Sequence, residues 1–94
     1  MIIQDEMLRA AIARTLQIEE ADITEKKLEE LTTLSARSSG IISLEGLQYA
    51  VNLKYLDLCG NAIEDLTPIR DLREIEVLNL SKNCLLYTSD AADD

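Results

Sequence analysis

The chain has 94 residues, room for one domain, and a formal charge of −9 set by 18 acidic against 9 basic side chains. That balance argues against nucleic acid and anionic membrane surfaces, both of which need clustered lysine and arginine, and the absence of histidine removes the usual general base and commonest metal ligand. Apolar residues make up 47% of the chain, but with no Phe, no Trp and 3 Tyr they are mostly aliphatic, a composition suited to flat, repeated layers.

At the amino terminus, Met1-Ile2-Ile3 runs straight into Gln4-Asp5-Glu6, without the basic region and apolar run of a secretion signal. No stretch reaches the ~18 apolar residues of a spanning helix, so no membrane insertion is expected. Residues 5–17 are predicted to form a helix. Asp5 and Glu6 suit its amino end, and Leu8, Ala11/Ile12 and Thr15/Leu16 recur on one face, with Arg9 and Arg14 mainly off it. A second helical piece is expected over 23–31. There Asp22 and Glu25 have the spacing of a capping box, and Leu28 and Leu31 face inward. The acidic connector Glu19-Glu20-Ala21 is expected to be a solvated turn.

From Leu31 the chain is periodic. Leu53 to Asn61, L-K-Y-L-D-L-C-G-N, returns 22 residues later as Ile75 to Asn83, I-E-V-L-N-L-S-K-N. Both copies carry apolar residues at positions 1, 4 and 6 and asparagine at position 9. A degenerate copy precedes them, with Leu31, Leu34 and Ala36 in the apolar places and Ser39 where asparagine would stand. The alternation Leu56-x-Leu58 has a strand's period, so these leucines point one way and Tyr55, Asp57 and Cys59 the other. Gly60-Asn61 then turns the chain. One such coil cannot bury its own leucines, so the spacing makes sense only as a stack. Three coils are expected, over 31–52, 53–74 and a shortened 75–83. Their strands fall near 33–36, 55–58 and 77–80, with outer segments at 43–52 and 65–74. Leu53, Leu56, Leu58, Leu78 and Leu80 form the frame, and Asn61 and Asn83 stack in the turns. Residues 1–30 are assigned as the cap that closes the first coil.

The spacing LxxLxLxxN on a 22-residue period resembles the bacterial and phosphatase-regulator class of leucine-rich repeats. The segment from Leu8 through Asn61 is similar to the N-terminal region of internalin-like proteins. It is carried by L-R-A-A-I at 8–12, I-T-E-K-K-L at 23–28, L-T-T-L at 31–34, S-G-I at 39–41 and L-E-G-L-Q-Y-A-V-N-L at 44–53. The expected fold class is therefore α/β, a leucine-rich repeat solenoid of about three coils with short parallel strands and an N-terminal helical cap. The resemblance implies a secreted or surface-displayed, non-enzymatic binding module of bacterial origin, working without a cofactor. Two other readings remain: the targeting arm of a larger enzyme, or a cytoplasmic regulatory subunit of the phosphatase-binding kind.

The residues themselves point the same way, because no nucleophile motif, phosphate loop or ligand cluster is present. Gly40, Gly46 and Gly60 are spaced by coils, Glu64-Asp65 are neighbours in a polar turn, and Cys59 has no partner base. What the fold offers is the outward side of its strands: Thr33, Ser35, Arg37; Tyr55, Asp57, Cys59; Val77, Asn79, Ser81. Arg37, Tyr55, Asp57, Val77 and Asn79 are the expected contacts for a protein partner, since tyrosine and arginine are enriched at binding hot spots.

After Asn83 the repeat breaks off. Residues 84–94, C-L-L-Y-T-S-D-A-A-D-D, resemble the translation of a transposon-end sequencing adapter and are treated as a non-native tail. Without Asp90, Asp93 and Asp94 the formal charge becomes −6, and without Cys84 only Cys59 remains, so no disulfide framework is expected. The last coil then has no cap. Ile63, Leu66, Leu72 and Leu80 are expected to be only partly covered, with the strand near 77–80 an open edge that promotes self-association.

Overall fold

The computed structural model describes residues 2–83. Helix α1 spans Glu6–Leu16 and a short helix α2 spans Glu25–Leu28, followed by strands β1 (Thr33–Ser35), β2 (Tyr55–Asp57) and β3 (Val77–Asn79). The strands form one parallel sheet in the order β1-β2-β3, with Thr33 beside Tyr55 beside Val77, so the register repeats the sequence period. Each strand stops one residue earlier than the alternation suggests. The outer segments are not helices of several turns; each contains a single 3-10 turn, Leu47–Tyr49 and Thr67–Ile69, with Pro68 buried inside the second. A 3-10 turn rises further per residue than an α-helix, which lets a few residues return the chain to the next strand.

The core runs through the interior of the stack. Leu53, Leu56 and Leu58 are fully buried, as are Leu34, Ile41, Leu44 and Leu47 in the coil before them. At the amino end Ile3, Leu8, Ile12 and Leu28 seal the first layer. Helix α1 begins one residue later than predicted because Asp5 is its N-cap, accepting from the Met7 and Leu8 N–H groups. It ends at Gln17 in a left-handed C-cap. The buried stripe is Leu8, Ala11, Ile12 and Ala13. Thr15 lies outside it and returns its hydroxyl to the Ala11 carbonyl. Arg9 does not point freely into solvent: its Nε meets Glu20 at 3.1 Å and its Nη1 donates to the Ile3 carbonyl at 2.9 Å.

The second helix is shorter than predicted and capped by a different residue. Asp22 closes a 3-10 turn, Glu20–Asp22, and Thr24 caps α2 through the Lys27 N–H. Ile23 decides this, because burying its side chain holds its backbone extended and excludes it from the helix. Beyond Leu28 the chain tightens into i to i+3 bonds that carry Leu31 into the core.

Gly46 marks where the cap crosses the first coil. Its φ is +101°, and a Cβ there would stand 2.3 Å from the Ile2 carbonyl oxygen. Only glycine fits this approach. The equivalent residue one coil later is Pro68, past which no cap segment runs.

The far end is different. Leu34 and Leu56 are fully buried, but Leu78, at the same place in the third coil, is 45% exposed. It points inward, and among the described residues no further layer follows it. Leu66, Leu72 and Leu80 are half-buried, as expected of an uncovered layer. Ile63 departs from expectation and is fully buried. The turn at Asn83 closes over it, with the Ile63 N–H bonded to Asn83 Oδ1 at 2.9 Å. The predicted non-native tail, residues 84–94, lies outside the described residues.

Candidate functional site

Two constellations in the coils stand out, one internal and one on the outward face of the sheet. The internal one is a ladder of amides. Asn61 is 6% exposed and uses all four of its hydrogen-bonding positions. Its Oδ1 accepts from the Ser39 and Ile41 N–H groups at 2.9 and 3.0 Å, and its Nδ2 donates to the Ala36 and Leu58 carbonyls at 2.9 and 2.8 Å. Asn83 repeats this one coil on, accepting from Ile63 and donating to Leu58, Leu80 and Ser81. The Leu58 carbonyl takes a bond from both asparagines, so it joins the two turns. These contacts satisfy backbone that strand and turn geometry leaves unpaired inside the stack.

On the outward face of the sheet the rows expected from alternation are present, but their depths differ. Thr33, Tyr55 and Val77 stand side by side on adjacent strands and are all exposed, Tyr55 at 38% and Val77 at 50%. In the next row Ser35 is exposed and Asn79 half-buried, while Asp57 is buried. Asp57 and Cys59, which alternation places on the outward side of the strand, are thus both buried. Asp57 Oδ1 accepts the Cys59 N–H at 3.2 Å, and Arg37 Nε lies over its Oδ2 at 3.6 Å. Arg37 itself remains 60% exposed. Asn79 braces its own strand end in the same way, accepting the Ser81 N–H at 3.0 Å.

The electrostatics follow from this arrangement. Contact with the Cys59 thiol, and then the charge of Asp57, hold the Arg37 guanidinium more firmly protonated than a free arginine. The buried Asp57 carboxylate thus lies against the exposed Arg37 guanidinium. Of the five expected contacts, Arg37, Tyr55 and Val77 are exposed, Asn79 is half-buried and Asp57 is buried. Nothing in the alternation signalled that Arg37 would fold over Asp57, because the two lie on different coils.

Elsewhere the candidates resolve into local structure. Asp65 caps the outer turn, accepting the Thr67 N–H at 2.9 Å and hydroxyl at 2.6 Å; these bonds lower its pKa. Among the described residues no three Cys, Asp or Glu side chains converge on a metal-sized space, and no helix is long and apolar enough to cross a membrane. Sequence reasoning missed a groove of about 370 Å³ at the open end, lined by Leu66, Ile69, Arg70, Leu72, Ile75, Glu76 and Leu78. The signal available for it was the break in the repeat after Asn83.

Residues 51–91 match the family described as Leucine Rich repeats (2 copies). Among solved structures, an internalin (inlF) from Listeria monocytogenes is 33% identical with a TM-score of 0.82 over 87% of this chain and 25% of its own. Internalin C2 (inlC2) from the same species is 38% identical at the same TM-score, over 87% of this chain and 37% of its own. A structure of the CBM51-2 and INT domains of Clostridium perfringens ZmpB is 35% identical with a TM-score of 0.75, over 82% of this chain and 16% of its own. The chain thus spans a quarter to little more than a third of the length of the two internalins.

Proposed function

The chain belongs to the internalin-like leucine-rich repeat proteins, and from that premise we propose that it is a non-enzymatic module that binds a protein partner across its concave sheet. The observation that carries this is the row Thr33–Tyr55–Val77 beside the braced Arg37, an exposed aromatic and aliphatic strip next to a fixed cation. Strands hold these groups at fixed spacing, so little side-chain freedom is lost on binding. Asp57 and Asn79 act mainly through their strand ends. The likeness to the two internalins supports placing the module at the amino end of a longer secreted or surface protein.

A photo-reactive residue tests the surface. Placed at Tyr55 or Val77 it should give partner adducts; placed at Val51, which is equally exposed but off the sheet, it should not. Adducts concentrated at Val51 would refute a concave site. Tyr55→Ala should leave stability within about 0.5 kcal/mol, as for an exposed side chain, while weakening partner binding roughly tenfold. Loss of fold in that variant would mean that Tyr55 serves the core instead.

A second reading is a targeting arm within a larger protein, because the similar Clostridium perfringens ZmpB structure joins its INT domain to a CBM51-2 domain. We further propose that the open end, with Leu78 exposed beside the groove, makes the isolated chain self-associate.

A further inference from the structure

We propose that the outward face of the sheet takes an acidic side chain of its protein partner, an aspartate or glutamate carboxylate seated on Arg37 with an apolar neighbour on Tyr55 and Val77; this rests on the binding surface proposed above. The polarity of the face carries it. Over the whole chain acids outnumber bases by 18 to 9. The outward positions of the three strands, from Thr33 to Arg37, Tyr55 to Cys59 and Val77 to Ser81, reverse that balance at the surface. They hold a single acid, Asp57, which is buried, and a single base, Arg37, whose side chain is 60% exposed. At the strand entrances Lys54 and Glu76 are of opposite sign and leave the balance unchanged.

Backbone pairing fixes how Arg37 is presented. The Ala36 N–H donates to the Asp57 carbonyl and the Ser38 N–H to the Cys59 carbonyl, so the parallel ladder runs on past β1 and sets Arg37 beside Cys59. From there its Nε reaches diagonally back to Asp57, 3.6 Å from Oδ2. That is an ion-pair distance, longer than a hydrogen bond, and it engages the guanidinium at Nε. The two Nη groups at the other end form the fork that grips a carboxylate through parallel bonds. Asp57 is buried and accepts the Cys59 N–H at 3.2 Å, so no bare acid opposes an incoming one. On either side of Asp57 in register, Ser35 offers an exposed hydroxyl, and Asn79 uses its Oδ1 on the Ser81 N–H, which leaves its amide to donate. Because Arg37 and Asp57 together are neutral, these short-range bonds select the ligand. One carboxylate suits them. A multiply charged phosphate would meet the repulsion of the whole acidic chain.

Random peptides selected on the whole chain test this, displayed with their carboxyl ends tethered so that every free carboxylate is a side chain. Binders that weaken on Tyr55→Ala lie on the face. Those from the wild type should carry Asp or Glu at a fixed spacing from an aromatic or aliphatic residue. Selection on Arg37→Glu should put Lys or Arg in that place. For one selected peptide, replacing its acid by the amide should weaken binding to the wild type about tenfold and leave binding to Arg37→Gln unchanged. Ser35→Glu sets an acid on the same face two residues from Arg37. It should weaken that peptide too, and it decides the matter if the Arg37 variants do not fold. Face binders without an acid, an amide peptide that loses as much on Arg37→Gln as on the wild type, or binding untouched by Ser35→Glu overturns the carboxylate while the binding face stands. A selection that yields only binders indifferent to Tyr55→Ala overturns both.

Discussion

Asn61→Ala should destabilise the chain by about 3 kcal/mol, because it strands several buried backbone groups at once. The Ser39 and Ile41 N–H groups and the Ala36 carbonyl all lose their partner, and the surrounding turn is too enclosed for water to replace it readily. Each orphaned group carries a penalty of roughly 1–3 kcal/mol, offset in part by relaxation of the turn. Against the total of roughly 5–15 kcal/mol typical of a domain, the loss is a large fraction. Asn83→Ala should be milder, since that residue is only half-buried. Urea titrations followed by circular dichroism would measure both. Equal midpoints for Asn61→Ala and the wild type would show that the turn does not depend on its amide.

Asp5 should be the second most sensitive position, and its effect should depend on pH. Its carboxylate accepts four backbone N–H groups: Met7 and Leu8 in α1, and Ile42 and Ser43 on the first coil, the last two at 2.8 and 3.0 Å. Burial alone would raise its pKa, but the bonds from Ile42, Ser43, Leu8 and Met7 outweigh that and hold it below the ordinary 3.8. A depressed carboxylate pKa contributes stability that is fully present above the unfolded value and is lost as pH falls through the folded one. Asp5→Asn sets an amide NH2 against N–H donors and should destabilise by about 2 kcal/mol at neutral pH, combining a lost cap with lost charge-assisted bonds. The difference between the two proteins should shrink as the pH drops below about 4, the region of the unfolded aspartate pKa. A gap that stayed constant from about pH 7 to about pH 3 would remove the ionised carboxylate from the explanation.

Long-range order in this chain was legible wherever it followed the 22-residue period. Leu34, Leu56 and Leu78 predicted the strand register, and Asn61 predicted a buried turn amide. What was not legible depended on contacts outside that period. Asp5 looked like a helix-start residue, and its bonds to Ile42 and Ser43 lie 37 and 38 positions away. Alternation gave the side on which Asp57 sits but not its depth, nor that Arg37 of the preceding coil would lie 3.6 Å from it. Spacing alone made Asp22 the cap of the second helix, and the burial of Ile23 moves that helix start on to Thr24. Leu78 carries the same letter as Leu34 and Leu56, yet cover depends on the layer that follows rather than on the residue.

The one-sided burial of the stack gives it a direction in time as well as in space. A layered chain opens at the layer with fewest neighbours, and each departing coil exposes the next. Here the cap locks one end and the third coil is half-covered, so unzipping should start at β3 and run toward α1. Amide hydrogen exchange should show protection rising along the inter-coil bonds, from Leu58 N–H on Asn79 to Ala36 N–H on Asp57. Reformation should run the other way, with the cap and first coil acting as a seed on which later coils are laid down. The reverse gradient would make the open end the seed. For a protein assembled from its amino terminus, seeding at the cap lets each turn of the solenoid be laid on one already folded.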